Sequence, residues 1–377
     1  MSINRPIRVL ALSPIPEEGA GCRFRVSQYI PALESAGFEV TLSTLYTREF
    51  FQSVYKPGGY ISKAAGFAFL AVRHLASLAH VSRYDVIFLY REVLPIGPAV
   101  VERLLGARGL PPIVFDFDDA IFLPSVSEAN RLIAALKVPQ KVSTIIRASA
   151  CVIAGNEYLA AYARRFNPNV VVIPTSVDTA RLKPRAAAPD PSAPTDPIVG
   201  WIGSPTTSMY LRLLERVIPR VAARHRFRLR VSGADRAIQF PGVITENVEW
   251  ALDREVDLFN TCDIGVYPLA DDEWAKGKCG FKAIQFMACG VPVVAAAVGV
   301  NRDIIQDGVN GFLATSEDDW VEKLGLLLED AALRRRLAHA GRQTIEERYS
   351  VTVSAPRVAA VLRDAAERGS EQRGGIR

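Results

Sequence analysis

Short runs of β-branched and aliphatic residues alternate with helix-like periodicity along the first half of the chain. After the first run, Val26, Ile30 and Leu33 fall on one helical stripe, and Gly37 is placed to end that helix. Alternation of this kind predicts a buried parallel sheet connected by helices. The predicted strands of this half lie at residues 7–12, 40–45, 86–90, 113–117, 151–154 and 170–173.

A stretch without periodicity, PRAAAPDPSAPTDP at residues 184–197, predicts an interdomain linker before a second series of the same kind. We therefore expect an α/β fold with two Rossmann-like domains, at residues 1–183 and 198–350. Residues 351–377 are expected to form a helix that packs back on the body, capped by Ser354 with Pro356 in its first turn, and a frayed tail. The strands predicted in the second series lie at residues 198–202, 227–231, 264–267 and 291–295.

Length and cysteine usage restrict the class of protein. A chain of 377 residues exceeds the size at which one hydrophobic core usually keeps growing, which favours two domains. The five cysteines are far apart and form no Cys-x-x-Cys pair, which argues against a disulfide scaffold or a zinc site and for a reducing cytoplasm. Residues 1–6 lead straight into a strand without the apolar stretch of a signal peptide, so we expect a cytoplasmic protein.

Positive charge is concentrated in the first half of the chain. Lys and Arg number 21 against 15 Asp and Glu over residues 1–190, and 24 against 25 over the rest. Such an excess suits an anionic partner, for example a phospholipid surface or a lipid diphosphate, although it is also typical of a solvated face.

The apolar stretch at residues 64–78 lies within this basic half. It is interrupted by Arg73 and His74 and is too short to span a bilayer. With Lys63 and Arg83 nearby, it predicts either a basic amphipathic helix on the inner face of an anionic membrane or a helix packed on its own sheet.

The strongest chemical signal lies at residues 277–294, GKCGFKAIQFMACGVPVV, which has the pattern of a glycine-rich loop, a helix, a glycine stop and a buried strand. If the helix begins near Lys278, then Lys278, Lys282 and Gln285 share one helix face. Two lysines beside a helix N-terminus suit a diphosphate, and Gln285 can bond sugar or ribose hydroxyls, whereas the alternative is a solvated helix face. The residues of this segment predicted to bind the donor are Lys278, Gly280, Phe281, Lys282 and Gln285.

The first strand-to-helix turn of the C-terminal series is a weaker candidate for phosphate binding. Ser204 fits a helix N-cap, and the carboxyl end of such a strand is where ligand phosphates commonly dock. Gly203, Ser204 and Thr206 are therefore predicted to contact the phosphates of a donor. Capping alone also explains the sequence of this turn.

The first turn of the N-terminal series has a comparable pattern. Gly21 allows close approach of the backbone to a donor, and Arg23 and Arg25 can grip a phosphate or an acceptor. A plain βα turn is the alternative.

Carboxylates cluster at the end of the strand at residues 113–117. Asp116, Asp118 and Asp119 are costly there unless they are solvated, paired or used, which favours a site over simple packing. A second acidic run, at residues 271–273, is typical of a solvated loop.

Several short segments of the chain together resemble a known family. They are GAGCRFR at residues 19–25, VIPTSVD at 172–178, GWIGS at 200–204, MACGVPVV at 287–294, NGFL at 310–313 and YS at 349–350. With these segments, essentially the whole chain resembles the family 4 retaining glycosyltransferases of the GT-B fold. The resemblance implies two Rossmann-like domains that face each other across a cleft. It also implies that the nucleotide sugar is held mainly by the C-terminal domain and the acceptor mainly by the N-terminal one, and that closure excludes water.

The chain departs from that family where many members contact the sugar. Two glutamates eight positions apart are common there, and this chain has Gly277 and Gln285 instead. The family's histidine after the strand at residues 113–117 is replaced by Asp118, which leaves Asp118 or Asp119 to contact the donor sugar. The Gly-Lys-Cys-x-Phe-Lys pattern is similar to that of a subgroup. Asp-Phe-Asp also resembles the metal-binding Asp-x-Asp of another glycosyltransferase fold, but the resemblance to the GT-B fold implies no metal.

The resemblance implies transfer of a sugar from a nucleotide-diphosphate sugar to a hydroxyl of a glycan or lipid-linked acceptor, with retention and without a cofactor. Surface polysaccharide or glycoconjugate synthesis is the expected setting. Asp118, Asp119 and Lys282 are the expected catalytic residues, with Lys278 and Lys282 stabilising the departing diphosphate. The alternatives are a nucleotide-sugar epimerase of the same fold and a non-catalytic nucleotide-sugar or carbohydrate-binding protein. Nucleic-acid binding is not expected, because no basic stripe is interleaved with aromatic residues.

Overall fold

A computed structural model describes residues 5–54, 58–124, 138–185 and 196–374, and the chain divides into two compact units. The N-terminal unit comprises Met1–Thr175 and Ser354–Arg377, and the C-terminal unit comprises Ser176–Val353. The boundary therefore precedes the predicted linker, of which residues 186–195 lie outside the described residues. Val177 joins the C-terminal unit because it forms a parallel bridge with Ser350 and its N–H donates to the Tyr349 carbonyl at 2.9 Å.

The N-terminal unit is built on a parallel sheet of six strands in the order β2-β1-β3-β4-β5-β6. Every strand predicted in this half is present, and the ends differ from the prediction by at most two residues. Strands β3, β4 and β5 are buried along their whole length, as their apolar sequences require, and Asp116 in β4 is the one charged residue among them. The strands are β1 Ile7–Ser13, β2 Phe38–Thr44, β3 Val86–Tyr90, β4 Ile113–Phe117, β5 Cys151–Ala154 and β6 Val170–Val172.

Helices cover this sheet, and the first of them is broken into short pieces. The backbone departs from helical geometry at Val26, and Pro31 lies at the start of the last piece, so the predicted single stripe is carried by three segments. Val26 and Leu33 are buried as predicted, and Gly37 ends the run at φ +88°. The α-helices of this unit are Ala20–Arg25, Ile30–Ser35, Arg48–Val54, Tyr60–Ser77, Val100–Leu105, Lys141–Ala148 and Glu157–Arg164, with 3₁₀ turns at Ser27–Tyr29 and Leu78–Arg83.

The C-terminal unit repeats the architecture, with a parallel sheet in the order β12-β11-β10-β7-β8-β9. The four predicted strands are present, but β9 and β12 at the two edges were not predicted. Strand β9 has the partly exposed, largely polar sequence ITENV, and β12 is apolar but has only three residues, which is too short for a pattern to be recognised. The strands are β7 Ile198–Ile202, β8 Arg228–Ser232, β9 Ile244–Val248, β10 Ile264–Tyr267, β11 Val293–Ala296 and β12 Phe312–Ala314.

The helices of the C-terminal unit include two long ones near its end. The helix at Glu317–Glu329 begins with a capping box in which Ser316 and Asp319 satisfy each other's backbone N–H groups. The α-helices of this unit are Val217–Ala222, Glu255–Asn260, Glu273–Lys276, Phe281–Ala288, Asn301–Ile304, Glu317–Glu329 and Ala331–Arg348, with 3₁₀ turns at Ser208–Leu214 and Leu252–Arg254.

The last helix, Val351–Gly374, returns to the N-terminal unit. It begins three residues before the predicted cap at Ser354, contains Pro356 in its interior and continues through most of the predicted frayed tail. The Arg363 guanidinium donates to the Ala36 carbonyl at 3.0 Å, and Arg357 donates to the Val172 carbonyl at 2.6 Å. These contacts pack the helix back on the body, as predicted.

One helical segment is longer than the sequence indicated. The helix Tyr60–Ser77 runs into the 3₁₀ turn Leu78–Arg83 and forms a segment of 24 residues, beyond both ends of the predicted apolar stretch. By length and composition alone, this segment is sufficient to cross a membrane, and 22% of its most apolar window is buried against the rest of the unit. The apolar stretch predicted at residues 64–78 is therefore the central part of a longer helical segment than the sequence indicated.

Candidate functional site

Each sheet has one place where the order of its strands reverses along the chain. In the C-terminal unit the reversal lies between β7 and β10, and in the N-terminal unit between β1 and β3. In open parallel sheets, ligands bind outside the carboxyl ends of the strands that flank such a reversal. The segments that follow these four strands are therefore the parts of each unit to compare with the predicted sites.

The turn after β7 requires a glycine and is stabilised by hydrogen bonds of its hydroxyl groups. A Cβ atom on Gly203 would lie 2.3 Å from the Trp201 ring, so glycine is required there. The Ser204 N–H donates to the Thr207 hydroxyl at 3.0 Å, and the Ser204 and Thr206 hydroxyls lie 3.0 Å apart. The prediction that Ser204 caps a helix is wrong, because the next helical turn begins at Ser208. Thr206 is exposed at this edge, where a phosphate could reach it.

The segment after β10 places the helix start later than predicted. Gly280 is the N-cap residue, at φ +66°, and the helix runs over Phe281–Ala288, so Lys278 precedes it. The proposal that Lys278, Lys282 and Gln285 share one helix face is therefore wrong. A Cβ atom on Gly280 would lie 2.2 Å from the Ile304 side chain, so both backbone and packing require glycine there.

The two lysines of this segment flank the helix start from different sides. The Lys278 ammonium lies 5.5 Å from the Trp274 ring centroid, and the Lys282 ammonium lies 5.1 Å from that of Phe281. Both side chains are half-buried. Cations held over aromatic faces beside the N-terminus of an eight-residue helix produce a positive, partly desolvated edge that suits a diphosphate.

Gln285 lies in the interior instead of facing this edge. It is fully buried, its side-chain carbonyl accepts from the Lys282 ammonium at 2.8 Å, and its amide donates to the Glu255 carboxylate at 3.2 Å. Glu255 in turn pairs with Arg181 at 3.2 Å. Gln285 is therefore placed to hold Lys282 in position, and the structure does not place it where a ribose could reach it.

In the N-terminal unit, the helix Ala20–Arg25 that follows β1 meets the end of β3 through Gly21 and Tyr90. A Cβ atom on Gly21 would lie 2.1 Å from the Tyr90 hydroxyl, so glycine is required by this contact. The Tyr90 hydroxyl donates to Asp118 at 2.8 Å. Burial raises the pKa of Tyr90 well above its usual value, so the phenol keeps its proton and remains a donor.

Arg91 is a site residue that the sequence pattern did not reveal. Its guanidinium donates to Asp118 at 3.0 Å and to Asp119 at 2.5 Å. Its backbone has φ +58°, a left-handed conformation that is costly for a side chain other than glycine. The side chains of Arg91, Asp118 and Asp119 are 25%, 16% and 26% exposed. The structure thus brings the two predicted carboxylates together around one arginine that solvent can reach.

This cluster could have been anticipated from topology. Arg91 directly follows β3, Asp118 follows β4, and β3 and β4 are neighbours in the sheet. In a parallel sheet, residues that follow neighbouring strands lie at the same edge.

Arg25 and Arg23, predicted to bind a phosphate or an acceptor, have internal partners. Arg25 pairs with Asp116 through two bonds of 2.6 and 2.9 Å, and both side chains are 1% exposed. Burial alone would lower the pKa of Arg25, but the Asp116 carboxylate more than offsets this, so the guanidinium stays charged. Arg25 is therefore placed to stabilise the fold and does not reach the surface. Arg23 donates to the Glu18 carbonyl at 3.0 Å and orders the turn that precedes the helix Ala20–Arg25.

The acidic residues of the chain do not form a metal site in the described residues. Asp116 faces Arg25 and Asp118 faces Arg91, so the two carboxylates of the Asp-Phe-Asp pattern have separate partners. Asp272 caps the Glu273–Lys276 helix by accepting from the Ala275 N–H at 2.7 Å. Within the described parts of the chain, no group of three or more His, Cys, Asp or Glu side chains is placed to hold a metal ion.

The C-terminal unit resembles known transferases in sequence. Residues 196–330 match the family model described as Glycosyl transferases group 1. The chain is 38% identical over 98 residues to the D-inositol 3-phosphate glycosyltransferase of Xylanimonas cellulosilytica, covering 26% of this chain and 22% of that protein. It is 28% identical over 190 residues to the Nocardia farcinica enzyme of the same name, covering 44% and 41%. Over its matched length, the chain spans about a fifth of the length of curated relatives such as the Xylanimonas protein.

The fold of nearly the whole chain is similar to that of solved structures. The sucrose-phosphate synthase of Thermosynechococcus elongatus matches with a TM-score of 0.69 at 18% identity, covering 95% of this chain and 98% of that one. The Anabaena HepE protein, solved in complex with UDP-glucose, matches with a TM-score of 0.64 at 16% identity, covering 95% and 100%. These similarities confirm the prediction of two Rossmann-like units of the GT-B fold, and the sequence match of residues 196–330 relates the C-terminal unit to group 1 glycosyl transferases.

Proposed function

We propose that this protein is a retaining glycosyltransferase that moves a hexose from a nucleotide-diphosphate sugar to a hydroxyl of a glycan or lipid-linked acceptor. The observation that carries the proposal is the turn after β10, where Lys278, Lys282 and the Phe281–Ala288 helix N-terminus converge at the strand-order reversal of the C-terminal sheet. The match of residues 196–330 to Glycosyl transferases group 1 covers this turn.

The C-terminal unit supplies charge for the leaving group. As the bond between sugar and diphosphate breaks, negative charge grows on the diphosphate, and groups that stabilise this growing charge lower the barrier. Lys282 is suited to this role because the Gln285 side-chain carbonyl holds its ammonium, and the Glu255 carboxylate in turn holds the Gln285 amide. A diphosphate oxygen then accepts the proton of the attacking hydroxyl on the same face of the sugar, which gives retention without a metal ion.

The N-terminal unit supplies carboxylates for hydroxyl groups. Asp118 and Asp119 share the Arg91 guanidinium and are partly exposed, so hydroxyls of the transferred sugar or of the acceptor would donate to their carboxylate oxygens. Arg91 is a positioning residue in this proposal, since it fixes both carboxylates. The proposed setting is the synthesis of surface polysaccharide or glycoconjugates.

Donor binding is the first test. Calorimetric titration with UDP, GDP and ADP and with their common sugar conjugates is expected to identify one nucleotide that binds. Lys282→Ala is expected to weaken that binding by at least about tenfold, because a charge-assisted contact to phosphate is lost. Lys323→Ala is the matched control, since Lys323 pairs with Asp307 at 3.0 Å and is not part of the turn after β10.

Turnover separates the proposal from its alternatives. With the binding donor and an acceptor extract, transfer that persists in EDTA and gives a product with the donor's anomeric configuration would support the proposal. Conversion of the donor by itself into an epimer would instead support an epimerase. Binding without turnover in any extract would support a non-catalytic binding protein. No binding of any nucleotide by the folded protein would exclude the transferase and favour a non-catalytic carbohydrate-binding protein.

A further inference from the structure

The helical segment Tyr60–Arg83 has one face that is packed against the N-terminal unit and an opposite face that is exposed to solvent. Leu70, His74, Leu78 and Val81 are buried, at spacings of three and four residues, and they form the inner face. The His74 ring nitrogen Nδ1 lies 3.3 Å from the hydroxyl of Ser43 on β2, which ties this face to the sheet. Gly66 lies against the Phe50 ring and adds a contact with the neighbouring helix.

The opposite face is apolar and exposed. At 100° per residue, one continuous stripe of the α-helical part contains seven apolar residues and no polar one. Ile61 is 88% exposed, and Phe69 and Val72 are each 68% exposed. Surface helices of globular proteins normally place polar residues on the face away from the core, so this stripe is costly in water. The stripe, called the outer face below, consists of Ile61, Ala65, Ala68, Phe69, Val72, Leu75 and Ala76.

The charges around the outer face are of one sign. The segment at residues 60–83 contains Lys63, Arg73 and Arg83 and neither Asp nor Glu. Arg73 and Arg83 are exposed. The half of the chain to which the segment belongs carries an excess of six basic residues over residues 1–190. An exposed apolar stripe with the exposed Arg73 beside it, on a segment whose charged residues are all basic, is complementary to a surface that is apolar below and anionic above.

We propose that the outer face docks on an anionic phospholipid bilayer, with the helix lying in the plane of the membrane. Ile61, Phe69 and Val72 would enter the boundary between headgroups and acyl chains, and Arg73 and Arg83 would pair with lipid phosphates. The helix does not cross the bilayer, because crossing would remove His74 and Leu70 from their places against the sheet. This surface is separate from the donor site and would bring the N-terminal unit to a membrane where lipid-linked molecules are found.

Vesicle flotation tests the proposal with the full-length protein. At low salt, the protein is expected to float with vesicles of phosphatidylcholine and phosphatidylglycerol, and much less with phosphatidylcholine alone or in about 0.5 M salt. The double variant Phe69→Ser/Val72→Ser is expected to lose at least about tenfold in partitioning, since two exposed apolar side chains no longer enter the bilayer. Arg73→Gln is expected to lose about fivefold on anionic vesicles.

Two controls make the outcomes decisive. Val100→Ser/Leu104→Ser removes two exposed apolar residues of another helix of the same unit and is expected to partition as the wild type does. Thermal unfolding followed by circular dichroism reports whether each variant is folded, independently of membranes and of the donor site. Equal flotation of wild type and Phe69→Ser/Val72→Ser would overturn the proposal. Absence of flotation of the wild type would also overturn it. In that case, a concentration-dependent dimer of the wild type that is lost in Phe69→Ser/Val72→Ser would assign the outer face to a second copy of the chain.

Discussion

Two arginine–aspartate clusters lie at the end of the same strand, β4, and they differ in depth. Arg25 and Asp116 form a closed pair that solvent does not reach. Arg91 holds Asp118 and Asp119 where solvent does reach them, and its backbone adopts a left-handed conformation. The same pair of residue types thus gives a fold-stabilising contact in one place and a candidate binding site in the other. Burial, rather than residue type, makes the difference, because a buried charge cannot exchange its partner for a ligand.

The largest expected effect comes from breaking the buried pair. Arg25→Met leaves the Asp116 carboxylate buried without a countercharge, which is expected to lower the free energy of unfolding by about 3–5 kcal/mol. Urea unfolding followed by circular dichroism measures this. Arg48→Met, which removes the exposed partner of Glu18, is the control and is expected to cost under about 1 kcal/mol. A loss in Arg25→Met no larger than in the control would show that the pair is not structural.

Substitutions in the exposed cluster of Arg91, Asp118 and Asp119 are expected to lower activity more than stability. Arg91→Ala frees Asp118 and Asp119 from their shared partner and is expected to lower kcat roughly 100-fold, because misplaced catalytic groups are costly. Arg91→Gly removes the same guanidinium but relieves the left-handed backbone, so it is expected to be about 1 kcal/mol more stable than Arg91→Ala and equally inactive. Steady-state assays and thermal melts of both variants measure this. Full activity in either would remove Arg91 from the proposed site.

His74 differs from both arginine–aspartate clusters, because it is a buried titratable group that has no carboxylate partner among the described residues. Burial lowers the pKa of His74 from 6.5 to about 4, and the nearby Arg73 acts in the same direction. As the pH falls, His74 is therefore protonated near pH 6.5 in the unfolded chain but only near pH 4 in the folded chain. Stability from this residue is present above pH 6.5, and about 2 kcal/mol is expected to be lost by pH 5.

Unfolding free energies at several pH values measure this effect. His74→Leu is expected to remove that part of the pH dependence, and His80→Gln, on the exposed side of the same segment, is expected to leave it unchanged. If the unfolding free energy of His74→Leu depended on pH as that of the wild type does, His74 would not be the source of this pH dependence.

The smallest expected effect comes from the hydrogen bond between Tyr90, at the end of β3, and Asp118 of the exposed cluster. Tyr90→Phe removes the hydroxyl that donates to Asp118 while the ring stays in place. The unfolding free energy is expected to fall by about 1 kcal/mol, the usual net value of one hydrogen bond. The kcat is expected to fall less than in Arg91→Ala, since the arginine still holds both carboxylates. A loss as large as that of Arg91→Ala would mean that Tyr90, and not Arg91, sets their position.

Local patterns along the chain were sufficient to predict most strands and the two-unit architecture. Unbroken apolar runs such as that of β3 are typical of strands buried on both faces, so the sequence pattern predicts them directly. Strands β9 and β12 were missed for different reasons, because β9 is polar and partly exposed and β12 has only three residues. The start of the helix at Phe281 was also missed, since the packing of Gly280 against Ile304 fixes it across a distance in sequence.

The sequence by itself determined which residues could carry charge at the strand ends: Arg25, Asp116, Asp118, Asp119 and Lys282. Only the tertiary structure decided their roles. Arg25 meets Asp116 across 91 positions of the chain, and Lys282 is held by Gln285 and the distant Glu255. The free energy of a charged group depends on whether solvent or a partner surrounds it, and that environment is assembled from elements far apart in sequence. Residue types therefore predict the chemistry available at an edge, and packing selects which of those residues remain open to a ligand.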